Sequence, residues 1–239
     1  MIHKKNSDWL LPAILSTTAG AVDVIGFLSL GGLFTAHITG NLVVLAAHYI
    51  TGRFGEIAPL LSVPMFMVVL GIVTLTFVRK PVWIARRALL VLQAALLACF
   101  LGFGAGFGPF PDPNNGMAVF VGMLGVAAMA TQNGLVRLAL PGAPSTAVMT
   151  TNVTQLTVDL ATLVRGHSKQ TDLPRVRRRA GLATVSVIGF AVGLALGAVF
   201  EIHFGLWSLI FPVILAVFAI PLGEFWTASS DTASHPAHA

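Results

Sequence analysis

Asp23, Thr39, Gly40, Asn41, Gln132, Asn133, Thr150, Thr151 and Asn152 stand where apolar sequence would otherwise run on. Each type has its own chemistry. A carboxylate at Asp23, inside the first apolar run, costs on the order of 3 kcal/mol to insert, so it faces protein or water. It is either a proton or cation site, or a packing carboxyl held by neighbouring backbone or an Asn. The amides of Gln132 and Asn133 donate and accept at once, which suits helix-to-helix glue or a solute site. Thr-Gly-Asn at 39–41 and Thr-Thr-Asn at 150–152 can cap helices that begin inside a membrane. Such a helix start presents unpaired N–H groups and a positive dipole end, which attract anionic groups, while nearby free carbonyls hold cations. Two such starts entering from opposite faces are expected to converge near the midplane, where these residues form the candidate substrate-binding set.

Other chemistry is sparse. His37 and His48 flank the first triplet, but a metal needs more ligands than the sequence brings near them, and His37 reads as interfacial. HExxH and GxSxG are absent, and no nucleophile has a placed base, so no enzyme and no cofactor is expected. Asp159 is expected to pair with Arg165 at a helix end, and Glu201 to be exposed.

The elements that must position these residues are membrane spans. Of 239 residues, 56% are hydrophobic and only 10% charged, against roughly 25% charged in soluble domains. Apolar segments run at about 9–30, 34–51, 58–78, 88–107, 117–139, 146–164, 181–200 and 207–223. With backbone groups paired internally, they are helices, so the fold class is an all-α polytopic membrane protein. Trp9, Trp83, Trp207 and Trp226 mark segment ends, as interfacial tryptophans do. The first run is too long for a signal-peptide core and reads as a retained helix. Cys99 allows no internal disulfide and reads as a small core residue.

The net charge of +5 does not mark a nucleic-acid binder, because the basic residues cluster at the ends of apolar runs. They indicate topology instead. Eight crossings with a cytoplasmic N-terminus leave Arg79, Lys80, Arg86, Arg87 and Arg137 outside. Six crossings, with 34–51 and 146–164 entering and leaving on one face, leave only Arg53 outside. A seven-crossing chain with its N-terminus outside leaves Lys4, Lys5 and Arg53 there. The six-crossing arrangement fits best, with seven or eight spans as the alternative.

The two triplets also suggest two halves, 1–115 and 116–226, followed by a polar tail at 227–239 that is expected to be disordered. Each half has one span, a re-entrant segment and two spans, so the halves face opposite ways as an inverted repeat. Ser16, Ala19, Gly20, Asp23 and Gly26 form a small-residue stripe, with Gly122, Gly125 and Ala128 similar before Gln132. Gly189, Gly193 and Gly197 form another, either an internal contact or a homodimer seam.

"AGAVDVIGFLSLGGLF" with "ITGNLV", then "ATQNGLVRLALPG" with "VMTTNVTQL", resembles the YoaK-like family of bacterial membrane proteins from about Leu11 to Gly223. In that family the second half usually carries a Gln-Asn pair and a Met-Thr-Gly or similar triplet. Gln132 and Asn133 match, while Thr151 replaces the glycine. The resemblance implies a multi-pass inner-membrane protein of a family whose function is unknown. The residues themselves point to a transporter or channel for a small solute or ion, with a non-transporting scaffold or sensor as the alternative. The lipid bilayer is the one partner that composition demands.

Overall fold

The structure, a computed structural model, describes residues 2–50, 57–165 and 172–226, with side chains from Trp9 onward. Arg53, Lys169 and the tail at 227–239 lie outside the described residues.

The apolar runs fold as helices: α1 (Ile2–Ser29), α2 (Ile38–Ile50), α3 (Ile57–Phe77), α4 (Val82–Phe107), α5 (Gly116–Ala139), α6 (Met149–Arg165), α7 (Leu173–Phe204) and α8 (Ile210–Glu224). A 3₁₀ turn, Gly205–Leu209, joins α7 to α8. Trp9–Ser29 of α1, with α3, α4, α5 and the α7–α8 stretch, are apolar and long enough to cross a bilayer. The α7–α8 stretch holds 52 residues, enough for two crossings. In contrast, α2 has 13 residues and α6 has 17. Their lengths of about 20 and 25 Å fall short of a hydrocarbon core of about 30 Å.

Local sequence sets the ends. Asn115 caps α5 by accepting from Met117 N, and Asp172 caps α7 by accepting from Arg175 N. Pro174 occupies the first turn of α7, where its missing N–H costs nothing. After α1, Gly31 and Gly32 take φ values of 65° and 82°, a left-handed turn that side chains disfavour.

Helix packing follows a simple scheme. α7 lies along α1, α3 along α5, α4 along α5 and α8 along α1. The short helices take outer places, α2 on α3 and α6 on α7. α1 and α5 are the most buried spans and cross at the centre. They run antiparallel: Leu15 meets Gln132, while Leu30 meets Gly122. α1 and α7 run parallel, with Trp9 on Gly181, Ala13 on Gly189 and Ala21 on Gly197. A Cβ at Gly193 would overlap the Thr17 carbonyl, and one at Gly20 would overlap that of Phe190. The glycine stripe at 189, 193 and 197 is therefore an internal seam, bringing two backbones together.

These contacts also sort the charges. The start of α1, the ends of α3, α5 and α8, and the starts of α4 and α7 share one end of the bundle. Among the described residues, Lys and Arg lie at that end, where Asp159, Asp172 and Glu224 pair with arginines, while Asp112 and Glu201 lie toward the other. Two apolar clusters fill the interior, one around Leu33, Phe100 and Met129, the other around Leu11, Leu89 and Leu135. Gln93 and Gln132 sit where the clusters meet.

Candidate functional site

After Ser29 the chain does not leave the bundle. The Gly31–Gly32 turn sends residues 33–37 back beside α1, and Leu33, Thr35 and Ala36 are buried. Asp23 holds them there. Its Oδ1 accepts from Ala36 N at 2.7 Å, His37 N at 3.3 Å and Thr35 Oγ1 at 3.5 Å. Its Oδ2 lies 2.7 Å from His37 Nδ1. Asp23 is six residues short of the end of α1, so the loop folds back by about 9 Å. The carboxylate thus caps, from another helix, the backbone that enters α2. That interaction is charge-assisted and opposes the positive end of α2.

His37 is not a plain interfacial histidine. Its ring packs edge-on to Phe190 at 5.2 Å and is 36% exposed, so a buried acid is joined to a base that reaches the surface. An acid–imidazole pair of this kind can hold and pass a proton.

Asn41 closes the loop from the other side. Its Oδ1 accepts from Phe34 N at 2.8 Å, and its Nδ2 donates to Phe34 O and Ser62 Oγ, both at 2.7 Å. Ser62 donates to Pro59 O at 2.6 Å. Asn41 is therefore a clamp on Phe34, and the cap is Asp23. Thr39 is exposed and takes no part. Gly40 lies under the Phe34 ring, where a Cβ would come within 3.0 Å of Cδ2.

The second loop repeats much of this. Asn152 reaches back seven residues, as Asn41 does, and its Nδ2 donates to Ser145 O at 2.5 Å. Thr146 stands as far ahead of α6 as Thr35 does ahead of α2, and is also buried. It accepts from Gln132 Nε2 at 2.7 Å. Gln132 Nε2 also donates to Leu15 O at 3.0 Å, and its Oε1 accepts from Gln93 Nε2 at 2.6 Å. Gln132 is seven residues short of the end of α5, a fold-back of about 10 Å.

The two loops differ in two ways. A neutral amide pair replaces the Asp23–His37 pair. With the two asparagines aligned, Ser145 also replaces Phe34 and Thr151 replaces Gly40. A threonine fits at 151, because residue 145 carries no ring to sit over it as Phe34 sits over Gly40.

The candidate residues form two groups rather than one. Asp23 gathers Thr35 and His37 and, through Phe34, Asn41. Gln132 gathers Gln93, Thr146 and, through Ser145, Asn152. On α1 the two groups meet Asp23 and Leu15, about 12 Å apart along the axis. The two helix starts thus enter at separate levels and do not converge on one midplane point. Asn133 donates to Met129 O of its own helix, and Thr150 and Thr151 are exposed.

Two expectations need correction. Asp159 is fully buried and pairs with Arg179 of α7 and with Gln155, not with Arg165. Six residues along a helix turn a side chain well off the first one's face, and that face of α6 is packed on α7. Glu201 is only partly exposed and accepts from Ser29 and from Ser208 at 2.6 Å. His37, Ser62, Gln93 and Arg179 were outside the candidate set. Of these, His37 stood out beside the first triplet but read as interfacial, and Gln93, an amide inside an apolar span, also carried a signal in the sequence.

Among the described residues, two cavities open at opposite ends of the bundle. One, of about 550 Å³, lies between α5, α6 and α7 at the basic end and includes Asn133, Thr151 and Asn152 in its walls. The other, of about 530 Å³, lies at the opposite end beside Ser29 and Glu201.

Over 35 residues the chain is 63% identical to the UPF0700 transmembrane protein YoaK of Bacillus subtilis (strain 168), covering 15% of this chain and 16% of that protein. The match therefore spans well under two thirds of the relative's length. No solved structure matches the chain. Residues 11–221 match the family described as "Protein of unknown function (DUF1275)", and the chain, a membrane protein built of apolar helices, belongs to that family.

Proposed function

We propose that the protein is a transporter or channel for a small solute in the bacterial inner membrane, built as an inverted repeat of 1–115 and 116–226. The observation that carries this reading is the pair of fold-back loops. Each is tied to its preceding span and clamped by an Asn seven residues on. Broken segments of this kind at matching places in two halves are the plan of many transporters. The helix contacts support it too: exchanging α1–α4 for α5–α8 in order maps α1–α7 onto α5–α3, α2–α3 onto α6–α7 and α4–α5 onto α8–α1.

Antiparallel α1 and α5 favour six crossings, because eight would make them parallel. α2 and α6 are then re-entrant, and the basic end, with the N-terminus, is cytoplasmic. Asp23 with His37 couples a proton or cation.

The test is flux. Purified protein in proteoliposomes is assayed with a panel of small anions, cations and metabolites. Flux that Asp23→Asn abolishes, while the variant still accumulates in the membrane, is the expected result. A non-transporting scaffold or sensor is the second reading. It is favoured by the burial of Asp23, which is 2% exposed and lines neither cavity. Absence of flux for every solute, with wild-type protein folded, selects it.

A further inference from the structure

The cavity at the basic end has a composition of its own. Its polar walls are Asn133 and Arg137 on α5, Ser145 in the loop before α6, Thr151, Asn152 and Gln155 on α6, and Arg179 on α7. The two guanidinium groups differ. Arg179 is neutralised by the buried Asp159. Arg137 has no carboxylate within ion-pair distance among the described residues. The cavity therefore presents one uncompensated positive charge, on a planar fork suited to an oxyanion.

The amides add a second feature. Asn41 uses both ends of its amide on Phe34. Asn152 uses only Nδ2 toward Ser145 and Met149, and Asn133 only Nδ2 toward Met129 O. Two amide oxygens are left as acceptors for a ligand's hydroxyl groups. At the equivalent place in the first half, the Phe34 ring packs on Phe27 at 4.7 Å and covers Gly40. The second half replaces that ring with Ser145 and lines the opening with a threonine. At about 550 Å³ the space is of the size that holds small organic ligands.

We propose that this cavity binds a small organic carboxylate that also carries hydroxyl groups, its carboxylate on Arg137 and its hydroxyls on Asn133 and Asn152. The site rests on the transport reading for its role, as the cytoplasmic mouth of the route, and not for its chemistry.

The test is calorimetric titration of the full-length protein in detergent with lactate, glycerate and 3-hydroxybutyrate, and with choline as the cationic control. At least one hydroxy acid is expected to bind saturably, and choline not at all. Arg137→Gln is expected to weaken that binding at least about tenfold, and Arg137→Lys to keep part of it. Arg137 is exposed, so neither variant endangers the fold. Failure of all three acids to bind overturns the proposal, as does binding unchanged in Arg137→Gln. Loss of binding in nanodiscs of anionic lipid, but not in zwitterionic ones, also overturns it by assigning the cavity to a lipid headgroup. Saturable binding without flux removes the transport reading and keeps the site. Flux indifferent to Arg137 does the reverse.

Discussion

Two asparagines do unequal work. Asn41 satisfies the N–H and carbonyl of Phe34 and donates to Ser62, and it is fully buried. Asn152 makes one bond to a backbone oxygen, beside an open cavity that admits water. A buried backbone group without a partner is expensive, whereas one that water can reach is not. Asn41→Ala is therefore expected to cost about 2–4 kcal/mol and Asn152→Ala about 1 kcal/mol. Unfolding in mixed detergent measures both, and equal losses would sink the clamp assigned to Asn41. The candidate residues were legible one by one, since polar types in apolar runs stand out. Their partners were not. Asp23 finds His37 only because the Gly31–Gly32 turn reverses the chain, and no periodicity announces that.

At the scale of elements, backbone proximity along α1 and α7 takes the place of side-chain interlock. Gly193→Ala would drive a methyl into the Thr17 carbonyl, so the helices must part. The expected loss is about 1–3 kcal/mol, with reduced accumulation in the membrane. Gly71→Ala is the control, since nothing lies within 4 Å of its Cβ position, and it is expected to change stability by less than about 0.5 kcal/mol. Thermal unfolding of the two variants side by side checks this, and similar melting temperatures would contradict the seam. Hydropathy gave good ends where a helix stops at the edge of its apolar run, as α3 and α5 do. It placed the start of α7 near residue 181, yet the helix begins at Leu173. The arginines at 175 and 177–179 break the apolar run but not the helix, which Asp172 and Pro174 start.

For the whole molecule, the decisive quantity is the side on which each end lies. Single cysteines at Lys5 and Arg79, in a Cys99→Ala background, are expected to react with an impermeant reagent only from the cytoplasmic face. The seven- and eight-crossing chains place the two on opposite faces, so labelling from opposite sides would exclude six crossings. Native Cys99, expected in the core, is instead exposed on the outer face of α4 and must be removed for the readout to be clean. The shielding of Asp23 also has a bearing on how the protein is made. Its partners Thr35, Ala36 and His37 follow it by only 12–14 residues, whereas Gln132 needs Leu15, 117 residues earlier. The one carboxylate in the middle of the first span is thus covered as soon as the next short stretch leaves the ribosome. The amide network has to wait until the fifth helix arrives. Synthesis order therefore protects the ionisable group first and leaves the neutral one, whose exposure costs least, until last.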